Sequence, residues 1–184
     1  MRPRSPHCLS QLVRWVLMVA TLIACSPVIA AGATPPAAAS SDPDLYVAAA
    51  KDAGVPLPVL IAVAGAESAY HPWALDIEGR QVFCHSRAEA ETVLAKTTTT
   101  NVDIGLMQIN WRFWGPRLGV AQHDLLDPRI NLLMGARILR ESLDRNGSVW
   151  RRISNYHSGD RRERDRYNQQ VYDAYLRYLR GQVR

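Results

Sequence analysis

Three cysteines, at positions 8, 25 and 84, are too few and too widely spaced to build a disulfide framework. Cys8 belongs to the N-terminal leader, and Cys25 is either removed with it or lipidated. That leaves Cys84 alone, with no intramolecular partner. Cys84 and His85 also lack spaced companions for a zinc site, and no cofactor is expected. No apolar run is long enough to cross a bilayer. The stretch Trp15 to Ala24 is a short apolar core, and at about ten residues it is half of what a spanning helix needs. There is no internal repeat, and no strong alternation of the kind that marks a β-sheet.

Charge of one sign is also scarce once the leader is set aside. The formal net charge is +5. Arg2, Arg4 and Arg14 account for three of those positive charges, so the remainder carries only a mild surplus. That is too little for a nucleic-acid-binding module, though it suits an anionic cell wall.

What is present begins with an export signal. A basic start precedes a short apolar core, and residues 1–30 read as a signal peptide cleaved after Ala30. A competing scheme treats Leu22-Ile23-Ala24-Cys25 as a lipoprotein box with acylation at Cys25. Both schemes place the mature protein outside the cytoplasm, in the periplasm or secreted. Only the second ties it to a membrane. Residues 31–41 (AGATPPAAASS) read as a linker, and residues 42–184 as one domain.

The signals in that domain are helical. Asp42-Pro43 starts a helix that Gly54 should stop. A second helix from about Leu57 is apolar nearly all round, which implies a buried central position. It ends in Glu67. Ser86-Arg87-Ala88-Glu89 is a capping box opening a helix to about Lys96. Thr97 to Thr100 reads as loop or short strand. Asp127-Pro128 opens a helix to about Arg145 with Leu132, Ala136, Leu139 and Leu143 as its apolar stripe, stopped by Asn146-Gly147. A short helix over 148–157 and a last one from about Arg164 to Leu179 follow. Tyr167, Val171, Tyr175 and Tyr178 line one face of the last helix. The fold class is mainly α.

Three places hold residues that can do chemistry. A carboxyl at the end of a greasy helix is partly desolvated, which raises its pKa and lets it donate a proton near neutral pH. Position alone allows Glu67 to be an ordinary helix-end acid as well. Gly105 permits a tight backbone passage before Leu106, Met107 and Ile109, which would anchor a turn. Gln108 and Asn110 there suit recognition of hydroxyl and acetamido groups. Tyr156, His157 and Ser158 cluster before Gly159, in a segment that equally reads as a helix stop.

The order and spacing of these pieces decide what none decides alone. Glu67-Ser68, then Gly105 to Asn110, then Asp127-Pro128 with Asn131 and Gly135-Ala136, then Tyr156 to Gly159 resemble the soluble-lytic-transglycosylase type of domain, over about residues 42–178. The Met-Gln-Ile-Asn ending and the Tyr-His-Ser form resemble its specialised members associated with conjugation and secretion machines. His157 stands where housekeeping members carry Asn.

The resemblance implies a lysozyme-like single domain with a substrate groove. It implies cleavage of peptidoglycan glycan strands between N-acetylmuramic acid and N-acetylglucosamine, with a 1,6-anhydro product. Glu67 would be the sole catalytic acid and base. Ser68, Met107, Gln108, Asn110, Tyr156 and His157 would form the substrate site, with Ser68 and Tyr156 positioning Glu67 by hydrogen bonds. Asp76, Glu78 and Asp103 are expected in structural or solvent roles. The possible partners are conjugation or secretion proteins. Two alternatives stay open: a lysozyme-like hydrolase, and a non-catalytic peptidoglycan-binding assembly factor.

Overall fold

The computed structural model describes residues 42–144, 150, 153, 154, 156 and 161–182. The export segment, the linker, Asn146-Gly147 and His157 to Gly159 lie outside them. The helix expected over 148–157 is described only at Trp150, Ile153, Ser154 and Tyr156.

The chain opens with α1 (Pro43–Ala53). The Asp42 carboxylate accepts from the Asp44 N–H at 3.0 Å, and the helix ends in the left-handed Gly54. Next is α2 (Leu57–Ser68), which buries Val59, Leu60, Ala62, Val63 and Ala64. Its lack of a polar face leaves it nowhere to sit but the core. It packs chiefly against the last helix, while α1 packs against α5 (Pro128–Leu143). At 25 cal/mol per Å2, enclosing each of Val59, Leu60 and Val63 contributes about 2 kcal/mol, so α2 is the fixed element to which the site is attached. Among the described residues, no single helix is long and apolar enough to cross a membrane.

The mainly-α class expected from the sequence holds, with one addition. Strands β1 (Ala74–Ile77), β2 (Arg80–Phe83), β3 (Val102–Ile104) and β4 (Ile109–Asn110) form an antiparallel sheet in the order β2-β1-β3-β4. The segments are only two to four residues long, too short to show alternation over a useful window. The β1–β2 turn is a two-residue hairpin in which Glu78 and Gly79 both have positive φ, 54° and 86°. That is the primed turn a twisted hairpin favours. The Asp76 carboxylate closes it by accepting from the Gly79 N–H.

The segment from Asp76 to Asn101 is thus the end of β1, the turn and the hairpin's return strand, then α3 (Arg87–Lys96), then a loop holding Thr97 to Thr100. The Ser86 hydroxyl accepts from the Glu89 N–H, as a cap should. Glu89 accepts in turn from the N–H of His85, one residue earlier than a strict capping box has it. After β4 come α4 (Trp111–Leu118), a 3-10 turn (Asp124–Leu126), α5, and finally α6 (Arg161–Leu179). The expected stripe of α5 is buried at all four positions. Along α6 the buried residues are Tyr167, Val171 and Ala174, while Tyr175 and Tyr178 are only half-buried.

Candidate active site

The sequence motifs meet at one turn, residues 105–108 between β3 and β4. Gly105 has φ +78°, and a Cβ there would lie 2.9 Å from the Leu125 carbonyl oxygen and closer still to the Asn131 amide. Only glycine fits this passage. Gln108 also takes a left-handed φ of 42°. Such a turn needs outside support, and three elements give it. From α2, the Ser68 hydroxyl donates to the Leu106 carbonyl at 2.9 Å. From α5, the Asn131 amide donates to the carbonyls of Ile104 (2.8 Å) and Leu125 (2.9 Å) and accepts from the Met107 N–H (2.9 Å). The Tyr156 hydroxyl donates to the Met107 carbonyl at 2.8 Å. Leu106 and Met107 are fully buried. Gly135 makes room for Met107, whose side chain lies where a Cβ at 135 would be.

A groove of about 710 Å3 opens beside this turn. Its lining includes Glu67 from the last turn of α2, Asp76 and Asp103 from neighbouring strands, Gln108 and Asn110 from the turn and β4, Tyr156, and Tyr167 from α6. The Glu67 carboxyl accepts a hydrogen bond of 2.7 Å from the Tyr167 hydroxyl. Its pKa is pushed up to about 8, first by burial and then by the nearby charge of Asp103. The Tyr167 hydrogen bond opposes both. Asp103 faces Asp76 across β1–β3 and Asn110 across β3–β4. Burial, with Asp76 as a lesser cause, raises its pKa to about 6. At neutral pH the groove therefore holds a protonated Glu67 beside a largely ionised Asp103, the split that acid catalysis with electrostatic support requires. No group of three or more His, Cys, Asp or Glu among the described residues is placed to hold a metal ion.

Five residues differ in role from what the sequence suggests. Ser68 is buried, and its hydroxyl is taken up by the Ala64 and Leu106 carbonyls and the His71 N–H, so it ties α2 to the turn rather than touching Glu67 or a ligand. Met107 has no exposed surface and supports the turn from below. It reaches no substrate. Tyr156 lines the groove but donates to Met107, and Tyr167, expected only as a core-face residue, donates to Glu67 in its stead. Asp103, expected in a structural or solvent role, enters the groove.

Gln108 lines the groove with both amide hydrogens spent on the Ala74 and Gly105 carbonyls, so the part left for a ligand is its oxygen. Asn110 lines it too, while capping α4 at Phe113 and donating to Asn101. His157 lies outside the described residues. A tyrosine at the right phase of the last helix was visible in the sequence, but no local signal links it to an acid 100 positions away.

The Transglycosylase SLT domain model matches residues 44–176, nearly all of the described part of the chain. The chain belongs to the transglycosylase SLT domain family. The four motifs that meet at the 105–108 turn all lie within the matched range. Among curated proteins, this SLT protein is similar to the invasion protein IagB of Salmonella typhimurium, in strains SL1344 and LT2. The identity is 30% over 146 residues, covering 75% of this chain and 78% of that one. No solved structure gives a significant match.

The Tyr167 hydrogen bond yields a direct test. Tyr167→Phe removes the contact that lowers the Glu67 pKa, so that pKa should rise. The alkaline limb of the kcat–pH profile should move upward, with kcat reduced roughly tenfold through lost positioning. An unmoved limb would detach Tyr167 from the titration of Glu67.

Proposed function

We propose that this SLT protein is a lytic transglycosylase that acts on peptidoglycan outside the cytoplasm, with Glu67 as its acid and base. The observation that carries this reading is a carboxyl with pKa about 8 on the wall of a groove lined by amides and aromatic side chains. Glu67 protonates the glycosidic oxygen between N-acetylmuramic acid and N-acetylglucosamine. The substrate's acetamido group assists at the anomeric carbon. Glu67, now ionised, takes the proton from the muramoyl C6 hydroxyl, which closes on C1 to give the 1,6-anhydro sugar. Gln108, Asn110 and Tyr156 bound the sugar site, and His157 is assigned to it by its place in the motif alone. Export occurs by cleavage after Ala30 or through lipidation at Cys25. The likeness to a protein named for invasion supports a role in opening the wall locally for a secretion or conjugation apparatus.

Asp103 supports a second reading. An ionised carboxylate near the acid is what a lysozyme-like hydrolase uses to stabilise the cationic transition state. Mass spectrometry of digested sacculi separates the two. Anhydro-muropeptides are expected, and reducing ends would establish hydrolysis. Asp103→Asn should lower the Glu67 pKa by removing a neighbouring negative charge. The alkaline limb of activity then moves down, whichever product is formed.

A further inference from the structure

The groove is lined by four acidic residues, Glu67, Asp76, Asp103 and Glu141, and by one basic residue among those described, Arg117. Arg117 sits on α4 one turn beyond Phe113, on the same helix face. Its guanidinium carbon is 3.9 Å from the Phe113 ring centre and 5.5 Å from that of Trp114. The two rings meet edge to face at 5.0 Å and 87°. Stacking on a ring occupies the flat face of a guanidinium and leaves its N–H edge free to grip a carboxylate in the plane. No carboxylate of the protein pairs with Arg117 among the described residues. Phe113 is 51% exposed, an apolar ring kept at the groove's rim where it can cover a ligand. Beneath them the Trp111 indole N–H holds the Val120 carbonyl at 3.1 Å, which ties α4 to the chain that follows it.

A braced cation, the one basic side chain among the described lining residues, is a discriminating contact, since an anionic ligand meets acidic side chains elsewhere in the described lining. Resting on the peptidoglycan reading above, we propose that Arg117, backed by Phe113 and Trp114, binds a carboxylate of the peptide stem carried by the muramoyl residue. The enzyme would then prefer peptide-bearing strands. The amide linking that peptide to the sugar leaves the lactyl group uncharged, so the available carboxylates are those of the stem.

The test is calorimetric titration of Glu67→Gln protein, which holds ligand without cutting it. It is compared with the Glu67→Gln, Arg117→Ala double variant. The probes are a disaccharide-tetrapeptide, the same molecule with its peptide carboxylates amidated, and the peptide-free disaccharide with its bare lactyl carboxylate. The expected result is a ratio of affinities, free-acid peptide over amidated peptide, that falls roughly tenfold on losing Arg117, the size of one charge-assisted contact. An equal ratio in both proteins overturns the proposal. So does an Arg117 effect seen only with the bare lactyl group. Because the readout is a ratio of binding constants, a partly unfolded variant does not mimic the effect. Failure of the enzymatic reading would show separately, as absence of cleavage by the protein with Glu67 intact.

Discussion

Replacing Glu67 by Gln should reduce peptidoglycan cleavage by roughly a thousandfold or more, and above neutral pH it should also make the protein more stable. Gln keeps the shape of the side chain but can neither give a proton nor carry a charge. In the wild type the carboxyl binds its proton more tightly when folded, with a pKa of about 8 against 4.5 for an unperturbed glutamic acid. Between those values the folded state holds more protons than the unfolded one, so stability falls as pH rises through this window. The contribution is fully present below about 4.5 and gone above about 8. Each pKa unit corresponds to about 1.4 kcal/mol. Allowing for solvent reaching the group through the groove, the gap should approach the order of 3 kcal/mol at alkaline pH. Asp103 titrates in the same sense in both proteins and largely cancels in the difference. The measurement is Tm against pH for both proteins, beside a zymogram. Matched Tm near pH 4, with a gap that widens up to about pH 8 and then levels, is expected. Parallel Tm curves would mean that the carboxyl is not desolvated, and retained clearing would remove it from the chemistry.

These two responses pull apart because the residue is held at a cost to the fold. A glutamic acid on a helix as apolar as α2 is a local inconsistency, and such inconsistencies concentrate where function demands them. That made Glu67 legible before any coordinates: eight mostly apolar residues lead into a single acid. The helix boundaries set by Asp42, Ser86 and Asp127 were legible for a similar reason, since each cap acts through its own next two or three residues.

The sheet was not legible, because the pairings that stabilise β1 and β3 join residues some 27 positions apart and leave no period in either segment. Nor was the true hydrogen-bond donor to Glu67. Helical phase marked Tyr167 as inward-facing, but an inward tyrosine that only packs and one that also donates to an acid have the same spacing. Ser68 and Met107 depart from expectation in the opposite direction. Lying next to functional residues in the chain, they looked like ligand contacts, whereas the backbone turns them inward to hold the turn.

The motif residue whose purpose the sequence hid most completely is Asn131, and its removal should have the largest effect on stability. It is 1% exposed and satisfies three main-chain groups from three segments: the Ile104 carbonyl, the Leu125 carbonyl and the Met107 N–H. Asn131→Ala leaves all three buried without this partner, in a spot already crowded against Gly105. At 1–3 kcal/mol for each abandoned group, tempered by relaxation, the loss is on the order of 4 kcal/mol. Cleavage should fall with it, because the same turn carries Gln108 and adjoins Asp103. Asn131→Asp separates polarity from volume. It keeps the size and an acceptor for Met107, but turns a carboxylate oxygen toward two carbonyls that need a donor. Urea unfolding of both variants is the measurement. Comparable losses would place the effect in the donor geometry. A small loss for Asp beside a large one for Ala would make Asn131 a space-filler, and a loss below about 1 kcal/mol in both would mean that the 105–108 turn stands without its brace from α5.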